Sequence, residues 1–434
     1  MNNKVKLAVI GAGNRYLFSY SPYIRKHSDT IELIAISDII EDRINLVGDF
    51  HKLKKEQRFL DWKKMLEYIK DKKVDGIFIT TSDSDHYIPA MECLKQGYNL
   101  LLEKPISPNI NECIDIVNLA NEKKLIVMVA HVLRYTPFFR KIKKIINKGI
   151  IGDIQSIAHN ENILSFHYAH SFVRGIWNNS NTSSPIILSK SCHDLDILLY
   201  LIGDDKECVY VSSFGSLKHF KRENRPYGST EICSNKCPIY KICPYSVDIY
   251  YHLMEKTEIS YATMVATENT KEALSEKLKN GPYGKCVYYC NNNVCDHMSS
   301  IIEFNNGITA TFSLSAFTDD MSRTIKVMGS HGQIRGNTEN DVIEVSAFGR
   351  GNGNYKNKDI KIYHPLKEKN NKENSGHHGG DDKFMSEFIE AIKENHNTDN
   401  SISIALKSHL IAFALEKSRL EHKVVRISDF INNY

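Results

Sequence analysis

An α/β fold is predicted: a Rossmann-type, doubly wound parallel sheet at the N-terminal end, followed by an α+β domain built on a large, mostly antiparallel open sheet. Three observations carry this. Between residues 4 and 130, short runs rich in Val, Ile and Leu alternate with amphipathic stretches of helical spacing. A glycine pair, Gly11 and Gly13, directly follows the first run. After about Gly149 the texture changes to longer strand-like segments with hairpin signals. The expected division is 1–130 for the first domain and 131–434 for a domain serving substrate binding and oligomerisation, with a cysteine-rich insertion around 225–297.

In the first domain the strands are Val5 to Ile10, Leu33 to Ser37, Gly76 to Thr80, Asn99 to Leu102 and Ile126 to Ala130. The helices between them include Trp62 to Lys70, with Leu66 and Ile69 on one face, Ile88 to Lys95 and Asn111 to Glu122. Strands alternating with helices of that length imply right-handed crossovers and a parallel sheet covered on both faces. In the second domain Ile154 to Asn162, Val209 to Leu217, Ser299 to Phe304, Ile308 to Phe317, Thr324 to Val327 and Ile343 to Phe348 read as strands. Asn305-Asn306-Gly307 supplies the Asn-Gly chemistry of a tight hairpin. Helices are expected at Asp194 to Leu201, Asp382 to Glu394 and Ile404 to Glu421, and a long Asn, Lys and Gly rich loop over Gly349 to Gly380. The Lys runs at 52–55, 63–64 and 141–144 are interleaved with apolar residues at helical spacing and read as solvated helix faces.

Composition narrows the function classes. A chain of 434 residues suggests two or three domains, and 41% hydrophobic with 10% aromatic residues excludes disorder as the main state. A net charge of +4 is too small to imply a polyanion partner, which argues against nucleic acid. No apolar run approaches the length of a membrane span, and Met1 to Leu7 enters a strand pattern rather than a leader, so a cytoplasmic protein is expected.

The glycine turn sits between strand and helix, the context in which it cradles a pyrophosphate at a helix N-terminus. Gly11 permits the tight turn and Gly13 the close approach, while Tyr16 occupies the third glycine position of G-x-G-x-x-G. Asn14 and Arg15 are candidate phosphate contacts. Asp38 ends the second strand 25 residues after Gly13, where a carboxylate accepts ribose hydroxyls and repels a 2′-phosphate. With Ile39 and Ile40 beside it, NAD rather than NADP is expected. Thr80-Thr81-Ser82 with His86, and Glu103-Lys104-Pro105, lie at further strand ends where such sheets hold their ligands.

With these motifs the chain resembles the glucose-fructose oxidoreductase and inositol dehydrogenase family, written Gfo/Idh/MocA. The resemblance extends through the segment His131-Val132-Leu133-Arg134-Tyr135 into the second domain. It implies an NAD-dependent dehydrogenase of sugars or polyols, in which Glu103 and Lys104 reach the nicotinamide and Lys104 the substrate, with Arg134 on the cofactor side. The family's second signature, D-x-G-x-H-x-x-D, meets Ser189-Lys190-Ser191-Cys192-His193-Asp194-Leu195-Asp196: His193 and Asp196 match, whereas Ser189 replaces the first Asp, with Lys190 beside it. His193 is the stronger candidate base, because imidazole titrates near neutrality. Lys104 would polarise the reacting oxygen and Lys190 assist.

Upstream, Tyr168, His170, Ser171, Arg174 and Trp177 combine aromatic faces with hydrogen-bond donors, which suits a sugar, with core packing as the competing account. The loop Gly376-His377-His378-Gly379-Gly380-Asp381 could bring a histidine over the same cleft. Glycosidases of this fold that use NAD transiently, and a nucleotide-bound sensor without turnover, are the alternative functions. A homo-oligomer is expected from the large open sheet.

Ten cysteines include six within 63 residues: Cys233, Cys237, Cys243, then Cys286, Cys290, Cys295. Clustered thiols in a reducing compartment point to metal before disulfides. Structural zinc on Cys233, Cys237, Cys243 and Cys290, with Cys286 the alternative fourth ligand, is the favoured reading; an iron–sulfur cluster and free buried thiols are the others.

Overall fold

The computed structural model describes residues 4–255, 261–266, 268, 270–348, 360–368, 379–396 and 401–434. Within these, six strands form one parallel sheet: β1 (Val5–Ile10), β2 (Ile31–Ser37), β3 (Arg58–Phe59), β4 (Gly76–Ile79), β5 (Asn99–Leu102) and β6 (Val127–Val129), in the order β3-β2-β1-β4-β5-β6. The central strands are buried on both faces, as their unbroken Val, Ile and Leu runs require. β1 pairs with both β2 and β4, so the strand order reverses beside it and opens a crevice over their C-terminal ends.

Nine further strands make the second sheet: β7 (Ile154–Leu164), β8 (Cys208–Ser216), β9 (His297–Phe304), β10 (Thr309–Thr318), β11 (Arg323–Gly329), β12 (Gly332–Asn337), β13 (Val342–Ala347), β14 (Ile360–Tyr363) and β15 (Val425–Arg426). Only β7 and β10 run parallel; the other neighbours are antiparallel. At the β9–β10 turn Gly307 takes φ +79°, a conformation glycine adopts without strain. Along β9 burial alternates strictly, so one face covers the core and the other is open.

The expectation of a continuous loop over 349–380 is corrected by β14, which pairs with β13, and by a helical turn at Pro365–Glu368; 349–359 and 369–378 lie outside the described residues. Two C-terminal helices return to the first sheet. Helix Gly380–Glu394 places Phe384, Met385 and Phe388, all fully buried, in the core beneath β1 and β4, with Phe388 edge-on to Phe78 at 5.6 Å. Helix Ile402–Glu421 gives Ile402 and Ala405 to the first domain's core and Ile411 to Leu415 to the second's. Between β8 and β9 the insertion carries helices Asp248–Met254, Tyr261–Val265 and Lys271–Asn280 around Phe166, Val247, Tyr250 and Leu274. Among the described residues no helix is long and apolar enough to cross a membrane.

Candidate active site

The glycine turn is fixed by the sheet beneath it. Gly11 donates to Ser37 and has φ +101°; a Cβ there would lie 2.7 Å from the Thr80 backbone, so no other residue fits. Over Gly13 the nearest atom to a Cβ is Arg43 Nη1 at 3.8 Å, which leaves the turn open on its outer side. The Asp38 carboxylate accepts from Ala12 N at 2.7 Å and Ile40 N at 2.9 Å, placing it at the lip of that opening. Arg43, which the sequence reading passed over, lies 3.9 Å from Asp38, so the ribose position does have a cation nearby. Tyr16 fills the core against Phe78 where a glycine would let the helix approach, and residues Tyr16–Tyr20 form a π turn that accommodates it.

Asn14 is exposed at the turn. Arg15 instead reaches across to Glu103 and, at 2.8 Å, to Asp381, while Tyr20 donates its hydroxyl to Glu103. Burial alone would raise the Glu103 carboxyl, but the Arg15 charge, these hydrogen bonds and Lys104 outweigh it and hold the group below its usual range. The network ties the glycine turn to the strand end bearing Lys104. Thr80 donates to the Gly11 carbonyl at 2.5 Å and Thr81 to Asp85 O at 3.1 Å, while Ser82 N-caps the short turn Asp83–Asp85. His86 is buried, its two nitrogens 2.7 and 3.2 Å from the carbonyls of Pro105 and Thr81, so it braces two strand ends rather than facing a ligand.

Beyond this crevice, Lys104 Nζ donates to Ser189 O at 2.6 Å and lies 6.0 Å from the Trp177 ring. Trp177 is anchored by its indole N–H, 3.2 Å from both oxygens of the buried Asp83. Lys190 pairs with Glu161 of β7 at 3.2 Å, and Arg323 bridges Glu161 and Asp194, each at 2.7 Å. His193 stands in the first turn of helix Cys192–Ile202, its ring 5.8 Å from His131. His167, which the sequence reading omitted, is held neutral by burial and by the positive charges of Lys190 and Lys104, and shares a 2.9 Å hydrogen bond with Tyr261. Lys104, Lys190 and His167 are thus electrostatically coupled, Trp177 flanks Lys104, and His193 follows Lys190 at the start of the next helix.

Other sequence candidates are placed elsewhere. Arg134 is buried and committed to Asp196, at 2.7 and 2.8 Å, and to Asp204, so it braces the second domain. Tyr168 donates to the carbonyls of Val294 and Cys295 and stacks between Phe172 and Phe220 in the core. Arg174 reaches the carbonyls of Lys285 and Tyr245. His170 stacks on Tyr283 at 4.7 Å and bonds Tyr250, with burial and Arg174 lowering it to about 4. His377 and His378 lie outside the described residues.

Ligand atoms of His131, Cys192 and His409 come within 4.8 Å of one another. His409 Nε2 accepts from Ile106 N at 2.9 Å and Nδ1 lies 2.8 Å from Ala405 O, so neither nitrogen keeps a lone pair for a metal.

The family model for an oxidoreductase family with an NAD-binding Rossmann fold matches residues 5–131, and the model for the same family's C-terminal α/β domain matches 143–233 and 235–427. The chain belongs to the Gfo/Idh/MocA oxidoreductase family. Among its relatives, the myo-inositol 2-dehydrogenase of Thermotoga maritima is 27% identical over 207 residues, 48% of this chain and 58% of that protein. The 2,7-anhydro-N-acetylneuraminate hydratase of Escherichia coli is 26% identical over 151 residues, 35% of this chain and 39% of that one. The chain therefore spans less than two thirds of either relative. A levoglucosan dehydrogenase solved with NADH and levoglucosan shares the fold, with a TM-score of 0.69 over 98% of this chain and all of that one, at 16% identity.

Proposed function

We propose that this family member is a cytoplasmic, NAD-dependent dehydrogenase that removes hydride from a hydroxyl-bearing carbon of a sugar or polyol. Residues 1–130 would hold NAD and 131–434 the substrate. The observation that carries the reading is the coupling of Lys104, Lys190 and His167, with Trp177 flanking Lys104, beside a nucleotide crevice. The open side of Gly13 and the Asp38 carboxylate at its lip fit a pyrophosphate and a ribose, so the residues present suit NAD. When bound, NAD supplies the hydride acceptor.

Lys104, fixed by Ser189 O, presents positive charge to the reacting oxygen and lowers the cost of the developing alkoxide. His193 takes the hydroxyl proton, and neutral His167 accepts a second hydroxyl. Trp177 covers an apolar C–H face of the ring. Names of relatives that act on inositol or levoglucosan support the substrate class. The hydratase relative favours a second reading, oxidation followed by elimination or addition and re-reduction, which consumes no net NAD. A panel of sugars, polyols, anhydrosugars and nitrophenyl glycosides, followed in parallel for NADH and for product, separates the two. Net NADH supports the dehydrogenase, product without NADH the second reading, and neither would leave a nucleotide-bound sensor. The homo-oligomer is supported by the open face of the second sheet, where Phe214, Ile301 and Phe317 are exposed among Ser and Thr. Sedimentation as a monomer at micromolar concentration would remove it.

A further inference from the structure

The insertion does not form the zinc centre expected from its cysteines. Among the described residues no three of the sulfurs of Cys233, Cys237, Cys243, Cys286 and Cys290 lie within 4.8 Å of one another, whereas thiolates about 2.3 Å from one ion stand closer than that. The insertion acts instead on the loop that carries Trp177. Asn293 N donates to Asn178 O at 2.9 Å, and Ser180 N donates to the Asn293 side chain at 2.7 Å. The loop backbone is therefore held from behind, and the direction of the half-buried indole is left to what meets its N–H.

What meets it is Asp83, from the turn after β4 in the first domain. This carboxylate is 7% exposed and collects three donors from one stretch of the second domain: Trp177 Nε1, 3.2 Å from each oxygen, Ser184 Oγ at 3.0 Å and Ser183 Oγ at 3.4 Å. A buried carboxylate is costly unless its oxygens are satisfied, and a hydrogen bond to an ion is stronger than one between neutral groups. The turn that presents Asp83 is itself pinned to the strand end of Lys104, because His86, which directly follows it, lies 2.7 Å from Pro105 O. Lys104 in turn donates to Ser189 O at 2.6 Å and stands 6.0 Å from the Trp177 ring. Asp83 and Lys104 thus hold the stretch 177–189 at its two ends and set the indole beside the ammonium.

We propose that Asp83 is a positioning residue: it fixes the angle of Trp177 against Lys104, and through that ring it selects ligands with an apolar C–H face. The proposal rests on the reading of the site as that of a sugar or polyol dehydrogenase. Asp83 moves neither hydride nor proton and acts through the indole, so its loss should weaken substrate binding more than the chemical step.

The chain has two tryptophans, Trp62 and Trp177, so the whole protein in a Trp62→Phe background reports on Trp177 alone. There, Asp83→Ala should shift the emission to the red and raise quenching by acrylamide, while Asp83→Asn, which keeps an acceptor for the indole N–H, should stay near the parent. Asp83→Glu moves the carboxylate by one methylene and supplies a second displacement should circular dichroism show the Ala variant unfolded. On the best substrate of the panel, KM should rise about two- to tenfold in Asp83→Ala, with kcat changed less. Emission and quenching unchanged in both Asp83→Ala and Asp83→Glu would overturn the clasp, and a released indole with KM unchanged would overturn the selective role. A panel without turnover would overturn the dehydrogenase reading and with it the selective role, while the fluorescence, which needs no substrate, still decides the clasp.

Discussion

Ser189 stands where the family signature carries an aspartate, and the structure shows what takes over. Its backbone carbonyl, not its side chain, receives Lys104, and the carboxylate facing Lys190 comes from Glu161 on β7. Lys104→Ala and His193→Ala should each lower turnover by about 10²–10⁴-fold while NAD still binds, because the pyrophosphate and ribose contacts lie elsewhere. If both act on one proton-transfer step, the double variant should be little worse than either single one. Single-turnover rates check this, and near-normal hydride transfer in His193→Ala across the pH range would move the base role to a lysine or to His167. At the ribose end, Asp38→Ala should weaken NAD and narrow its advantage over NADP. Arg43→Ala should widen that advantage, since it removes the cation that lies 3.9 Å from Asp38. Titrations of both nucleotides decide it; tighter NADP than NAD in the unmodified protein would sink the preference.

Elements were legible where periodicity is local. Gly11, Lys104 and His193 stand at strand ends or helix starts that alternation reveals, so they could be found without a structure. Short β3 and β15, two residues each, and β14, exposed over most of its length, carry no such pattern. Glu161, His167 and Arg43 reach the site through contacts across the fold, which single-residue chemistry does not announce. Docking of helix Gly380–Glu394 under the first sheet is likewise nonlocal, although its amphipathic face was visible. Phe388→Ala should therefore cost about 3–5 kcal/mol, although residue 388 is far in sequence from the sheet it supports. Thermal unfolding of the whole chain checks it, and a loss below about 1 kcal/mol would mean the helix is not part of that core. Gly11→Ala should fold poorly or bind NAD weakly, because its methyl meets the Thr80 backbone at a φ that L-residues avoid.

Across the whole molecule, many buried ionisable groups are held in one protonation state, so pH acts on the fold as well as on the site. Burial and Arg174 lower His170 to about 4, burial and His131 lower His409 to about 3, and burial and Arg25 lower the partly buried His51 to about 4. Each is neutral when folded and titrates near 6.5 when unfolded. A folded pKa below the unfolded one means the unfolded chain binds more protons, so stability rises with pH through that interval. The contribution is fully present above about pH 6.5 and is lost as pH falls toward 4. Asp194, whose carboxyl burial would raise but which Arg323 and His159 hold at about 2, adds a second loss, between about pH 4 and 2. Each fully buried histidine contributes a slope of about 1.4 kcal/mol per pH unit in its window, with less from His51 because it is partly solvated. Urea midpoints measured from pH 7.5 to 4.5 should therefore fall steadily below about 6.5, with the decline starting above the ordinary carboxylate range. His409→Gln removes one titrating group from the buried set, and should lower stability at pH 7.5 yet flatten the decline. A midpoint constant down to pH 5, or a His409→Gln variant that declines as steeply as the unmodified chain, would show that these histidines do not govern the acid limit of the fold.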